Sequence, residues 1–164
     1  MAVLDPAAIA LLVKLCAPPG ISARLMDSIA RVESGGDPSL PPNSNKNGTY
    51  DYGLMRINSI NLGWTGLTPQ TASDKCKSVS AASKVLIRDA GGIEPLTDAT
   101  VDRLLTAICR YNGCVSNAYR DKVVRTLANA SPVVQAKPQE KLVGQTINPS
   151  ADRFTAFSLP ERRR

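Results

Sequence analysis

Apolar side chains recur through the first 130 residues at intervals of three and four, the spacing that gathers them on one face of an α-helix. Asp5 followed by Pro6 reads as an N-cap and first-turn proline for a helix from Ala7 to Leu15. Ser22 reads as the cap of a second helix that carries Leu25, Met26, Ile29 and Ala30 on one face and stops at Gly35 and Gly36. Residues 37–52 lose the period and are rich in Pro, Asn, Ser and Gly; Pro41, Pro42 and Asn47-Gly48 mark turns, so a loop or small hairpin is expected. A short helix is predicted near Gly53, and a longer one from Val79 to Ala90 with Val79, Ala82, Leu86 and Ile87 inward. Another, capped by Thr97 or Asp98, presents Val101, Leu104, Leu105 and Ile108, and a last one from Ala118 to Ala128 turns Tyr119, Val123 and Leu127 inward. From Ser131 the period fades among Pro132, Pro138, Pro149 and Pro160. The expected organisation is one mainly α domain over residues 1–130 and an extended, Pro-containing basic tail over 131–164.

A length of 164 residues suits one domain of ordinary size, and 43% hydrophobic with 21% charged residues is the composition of a folded globular chain. The longest apolar run, Ala7 to Val13, is about a third of a bilayer span, so no transmembrane segment is predicted. Nor does it read as a secretory signal, since Asp5 and Pro6 precede it where positive charge belongs; export then depends on another route. The net charge of +6 is almost wholly C-terminal: residues 120–164 hold nine Lys/Arg against four Asp/Glu. Such a tail suits a polyanion or a docking partner, and equally a solvated end; without interleaved aromatics or a recognition motif it does not point to nucleic acid.

The absence of histidine removes every Ser/His or Cys/His nucleophile scheme and leaves carboxylates as the natural catalytic groups. Cys16, Cys76, Cys109 and Cys114 contain no CxxC pair, so neither a metal nor another cofactor is expected. In an oxidising compartment they allow three disulfide pairings, and Cys109 also fits a core thiol. Among the acids Glu33 stands out. It follows Met26 by seven residues and Ile29 by four, which puts it on the apolar face of its helix, where desolvation raises a carboxyl pKa toward the range of a general acid. By position alone it is also an ordinary buried glutamate bonded to its surroundings.

Three blocks sharpen the choice: Glu33-Ser34-Gly35-Gly36 at a helix end, Tyr50-Asp51-Tyr52-Gly53-Leu54-Met55-Arg56-Ile57-Asn58 after the loop, and Tyr111-Asn112-Gly113. In this order and over roughly residues 17–127 the chain resembles the soluble lytic transglycosylase domain of the lysozyme-like superfamily. The likeness is closest to the small members associated with type IV secretion, conjugation, invasion systems and phage particles. It implies an α+β lysozyme-like fold, a helical bundle with a short loop or hairpin lobe flanking a sugar-binding cleft. It also implies cleavage of the β-1,4 bond between N-acetylmuramic acid and N-acetylglucosamine in peptidoglycan glycan strands.

The resemblance assigns Glu33 as catalytic acid and base and Tyr111 as the tyrosine leaning toward it, with a phenol hydroxyl able to bond the acid. Ser34, Tyr52, Gly53, Met55, Arg56, Asn58 and Asn112 are expected to form or line the cleft. Arg56 stands where the family has glutamine, and a cation beside Glu33 works against a raised pKa. Cys114 stands where a small residue is usual. Asp51 leaves two outcomes open. If it faces Glu33 across the sugar, a two-carboxylate hydrolysis of the animal-lysozyme kind follows. If not, Glu33 acts alone and the product is a 1,6-anhydro sugar. Trp64, Tyr50 and Tyr52 are candidates for stacking on sugar rings, and equally for packing. The setting implied is the periplasm beside a secretion or conjugation apparatus, or a virion delivering the enzyme there, with the tail docking onto the larger assembly. A non-catalytic subunit with the same core is the alternative.

Overall fold

The computed structural model describes residues 3–92, 101–114 and 117–130. The expected tail and the cap at Thr97 or Asp98 lie outside these residues.

Local chemistry sets the first two helices where the pattern puts them. Helix α1 spans Pro6–Cys16, with Asp5 accepting the Ala8 N–H at 2.7 Å, and α2 spans Ala23–Ser34, with the Ser22 hydroxyl accepting the Leu25 N–H at 3.3 Å. Gly35 closes α2 in the left-handed conformation (φ 65°), which only glycine adopts without strain, and the Gly36 N–H returns to the Ala30 carbonyl. The polar stretch that follows is a small antiparallel sheet: β1 (Asn43–Ser44), β2 (Tyr50–Tyr52) and β3 (Ile57–Asn58), in that order, with Asn43 opposite Asp51 and Asp51 opposite Asn58.

The helix expected near Gly53 is not there. Residues 53–56 form a tight turn between β2 and β3, with Gly53 at φ 71° and Arg56 at φ 48°. A Cβ on Gly53 would lie 2.2 Å from the Ala72 carbonyl oxygen, so close backbone approach, not helix propensity, decides this segment. The turn drives Leu54 and Met55 wholly into the core. Helical structure resumes after β3 with a 3-10 turn and the one-turn α3 (Leu62–Thr65).

Helix α4 (Lys75–Asp89) starts earlier than Val79 because Asp74 caps it, accepting the Lys77 N–H at 3.0 Å. Helices α5 (Val101–Tyr111) and α6 (Asn117–Asn129) complete the bundle. α4 packs against α1, α3 and α5, and α2 packs against α1 and α6. The core combines Ile9, Leu25, Met26 and Ile29 with Val79, Leu86, Ile108 and Val123, all fully buried. Each such side chain contributes about 1.5–3 kcal/mol of transfer free energy. Ile87, Tyr119 and Leu127 sit at the edge of this core, not within it.

Cys16 at the end of α1 is bonded to Cys76 in the first turn of α4, and Cys109 in α5 to Cys114 just past its end. Cys109 is therefore not the core thiol its helix position allowed. No described helix is long and apolar enough to cross a membrane. The architecture is mainly α with a small sheet lobe, the lysozyme-like arrangement expected.

Candidate active site

Between the sheet lobe and the helices lies a cleft of about 540 Å³, and Glu33, Asp51, Arg56, Asn58, Tyr111 and Asn112 are all part of its lining. Six of the ten residues singled out from the sequence thus meet in one depression, although they come from α2, β2, β3 and the end of α5.

Glu33 reaches the cleft from the last turn of α2, on the same face as Met26, Ile29 and Ala30. Burial pushes its carboxyl up to about 7; the Tyr119 hydrogen bond pulls down, the nearby Asp51 charge pushes up, and Arg56 and Lys122 pull down more weakly. Desolvation thus wins over the neighbouring cations. Arg56 in particular does not form an ion pair with Glu33. Its Nη1 donates to the Pro41 carbonyl at 2.6 Å and, more distantly, to the Asp51 carbonyl at 3.5 Å, so it ties the sheet lobe to the preceding loop.

The phenol on Glu33 is not that of Tyr111. Tyr119, from α6, donates to Glu33 Oε1 at 2.5 Å, whereas the Tyr111 hydroxyl donates to the Met55 carbonyl at 2.7 Å. Tyr111 remains in the cleft wall and near enough for the charge of Glu33 to help push its own phenol pKa upward, after burial. Its hydrogen bond, however, braces the Gly53–Arg56 turn. The physical reason is placement: Met55 is held from the other side by its N–H on the buried Ser78 hydroxyl at 3.1 Å, which aims its carbonyl at Tyr111. Burial and the adjacent Glu33 raise the Tyr119 phenol far above its ordinary value, so it acts as a donor only.

Asp51 sits in the middle of β2 with both carboxylate oxygens occupied. Asn58, its partner across the sheet, donates to Oδ1 at 2.8 Å, and Asn45 donates to Oδ2 at 2.9 Å. The Thr49 hydroxyl, just before β2 begins, accepts from both amides, at 2.9 Å from Asn58 and 3.1 Å from Asn45. Asp51 is thereby fixed in orientation within the same cleft as Glu33. Asn58 also uses its amide oxygen to cap the 3-10 turn through the Ile60 N–H at 3.2 Å.

The other expected cleft residues serve from behind. Ser34 is buried and returns its hydroxyl to the Ala30 carbonyl at 3.1 Å, Met55 is core, and Gly53 permits the turn. Tyr52 half-buries at the core edge with its ring centroid 6.3 Å from that of Tyr50, and neither tyrosine lines the cleft. Trp64 is exposed and packs under the Arg88 guanidinium at 4.6 Å, and Arg88 does line the cleft. The sequence reading missed Tyr119, Asn45, Thr49, Arg88 and Arg110. Of these only Tyr119 had a signal, an aromatic with a hydroxyl on the inner face of the last helix. The Cys109–Cys114 bond spans the Tyr111-Asn112-Gly113 segment and holds Cys114 at φ 52°. Among the described residues no cluster of His, Cys, Asp or Glu could hold a metal ion.

The family described as Transglycosylase SLT domain matches residues 14–124. Among curated proteins, Protein virB1 of Rhizobium radiobacter is 34% identical over 97 residues, covering 56% of this chain and 40% of that protein. Protein virB1 of Agrobacterium fabrum (strain C58 / ATCC 33970) is 36% identical over 98 residues, covering 56% of this chain and 39% of its own length. The match thus spans about 40% of the length of the curated relatives. No solved structure gives a significant match.

Proposed function

This chain belongs to the Transglycosylase SLT domain family, and from that premise we propose that it is a peptidoglycan lytic transglycosylase with Glu33 as catalytic acid and base. The observation that carries the reading is the half-buried Glu33 carboxyl, poised at about 7 in the wall of a polar cleft. A group with that pKa holds a proton in about half of the molecules at neutral pH and serves equally well as the base once the proton has left. Protonated Glu33 gives its proton to the glycosidic oxygen as the bond to C1 of N-acetylmuramic acid breaks. The resulting carboxylate then takes the proton of the C6 hydroxyl of the same sugar while that oxygen bonds to C1. The product is a 1,6-anhydro sugar, no water is consumed, and Glu33 ends protonated. Tyr119 orients the acid throughout.

A second reading has a specific observation in its favour: Asp51 is held in the same cleft by two amides and acts electrostatically on Glu33. Retaining glycosidases use a second carboxylate about 5 Å from the acid as nucleophile or cation stabiliser. Mass spectrometry of fragments released from purified cell wall separates the possibilities. The transglycosylase releases anhydro-ended muropeptides, loses this on Glu33→Gln and retains the anhydro product with Asp51→Asn. Reducing ends abolished by Asp51→Asn would establish hydrolysis instead. No release at any pH would leave a non-catalytic subunit with a lysozyme-like core.

The biological setting proposed is local opening of the wall for a secretion or conjugation apparatus in the periplasm. Two disulfides fit an oxidising compartment. The relatives described above come from bacteria and not from phages, which favours this setting over delivery in a virion. The basic segment over 131–164 is proposed to dock onto that assembly.

A further inference from the structure

The cleft holds more positive charge than cutting a neutral sugar backbone uses. Lys46, Arg56, Arg88 and Arg110 line it, against the acids Glu33 and Asp51. With its carboxyl poised at about 7, Glu33 carries only about half a charge near neutrality. The pyranose rings and their N-acetyl groups are uncharged, so the excess points to an acidic substituent on the strand.

The two arginines of the helical wall converge on one residue, Asp89, Arg88 on its carboxylate and Arg110 on its backbone carbonyl. Arg88, in the last turn of α4, places Nε and Nη2 on Asp89 Oδ1 at 2.9 Å and 2.8 Å, and Nη1 on Asn61 Oδ1 at 3.1 Å. Its flat face lies 4.6 Å from the centre of the Trp64 ring, and Trp64 in turn donates to Asn61 at 3.1 Å. Arg88 is thus both neutralised and immobilised. Arg110, in the last turn of α5, is exposed and donates Nη1 to the Asp89 backbone carbonyl at 2.9 Å, a neutral acceptor. Among the described residues it makes no ion pair with a carboxylate. One nitrogen is pinned and the charge is left uncompensated at the cleft surface, which is the arrangement of a guanidinium prepared for an incoming anion.

We propose that Arg110, buttressed by the Arg88–Asp89–Trp64 cluster, seats a carboxylate borne on the lactyl arm of N-acetylmuramic acid, and so makes the chain selective for muramic-acid strands over neutral N-acetylglucosamine polymers. The inference rests on the peptidoglycan reading given above. Two sources present this chemistry: the stem peptide, whose residues carry free carboxylates, and the lactyl acid itself once an amidase has removed the stem. A guanidinium meets either by the same charge-assisted hydrogen bonds, and one such bond is worth roughly tenfold in affinity.

The test uses the full chain with Glu33→Gln, so that no ligand is cut during titration. Trp64 is the one tryptophan of the chain and lies on this cluster, so its fluorescence reports binding there. Three ligands of equal sugar length are titrated: a stem-bearing muropeptide, the same strand stripped by amidase, and a chitin oligomer. At least one acidic ligand is expected to bind roughly tenfold or more tightly than the chitin oligomer, with a preference that shrinks as salt is raised. The stronger of the two acidic ligands identifies the source of the carboxylate. Adding Arg110→Gln is expected to remove most of the preference. Equal binding of all three ligands, or an Arg110→Gln variant that weakens them all in proportion, would overturn the proposal. Wall cleavage by the otherwise wild-type chain is measured alongside. A preference without cleavage would leave the carboxylate seat standing and remove the enzymatic reading, and cleavage without a preference would do the reverse.

Discussion

Replacing Glu33 by glutamine tests the central physical claim through stability as well as catalysis. Glutamine keeps the shape of the protonated acid and can still accept the Tyr119 hydroxyl, but it never ionises. In the unfolded chain the carboxyl titrates near 4.5, and in the folded protein at about 7. Below about pH 4 both states are protonated and the wild type bears no penalty. As pH rises, the unfolded chain releases its proton first, so the folded state binds more protons and stability falls until the folded carboxyl has also ionised. At about 1.4 kcal/mol per pH unit, the gap between 4.5 and about 7 amounts to about 3 kcal/mol. That is a large fraction of the roughly 5–15 kcal/mol that holds a domain of this size together. Urea titrations of wild type and Glu33→Gln at several pH values measure it. The stability advantage of the variant over wild type is expected to grow by about 3 kcal/mol between about pH 4 and about pH 8, or roughly 10 °C in thermal midpoint. Wall cleavage by the same variant falls by roughly 10²–10⁴-fold or more. A stability difference that is flat with pH, or that grows toward acid, would refute the claim that burial holds this proton.

Tyr119→Phe removes the one hydrogen bond that lowers the Glu33 pKa, so the alkaline limb of the pH–rate profile moves to higher pH. The rate also falls, roughly tenfold, because the acid loses its orientation; an unmoved profile would count against Tyr119 as a positioning residue. The Cys16–Cys76 bond joins positions 60 residues apart, and loop-closure entropy puts its contribution at about 4 kcal/mol. Paired Cys16→Ser and Cys76→Ser substitutions should lower the urea midpoint accordingly, and a loss below about 1 kcal/mol would show that α1 is held by packing alone.

Glu33 and Tyr119 mark the limit of what could be read before folding. The apolar face that desolvates Glu33 is contained in twelve consecutive residues of α2, so its raised pKa was foreseeable. Its phenol partner is 86 residues away and is chosen by how α6 packs on α2. Periodicity put Tyr119 on the inward side of its helix but could not say what it would meet. The family motif directed attention to Tyr111, whose hydroxyl is taken by the Met55 carbonyl instead. Arg56 does pull the Glu33 pKa down, as its position implied, though more weakly than burial raises it. Its proximity to Glu33 was foreseen, whereas the carbonyls of Pro41 and Asp51 that hold it were not.

Helix starts and stops needed only neighbouring residues: Asp5, Ser22 and Gly35 satisfy backbone groups within four positions of themselves, so the chain alone determined α1, α2 and the acid at the end of α2. The turn at Gly53 depended on the Ala72 carbonyl, and which tyrosine met the acid and the joining of Cys16 to Cys76 depended on contacts across the fold, while the amides that grip Asp51 came from strand pairing within the small sheet lobe. Local hydrogen bonds are decided by a few backbone dihedrals and are legible in a short window. Cleft chemistry is decided by how helices and sheet dock, and that geometry exists only once the core has closed.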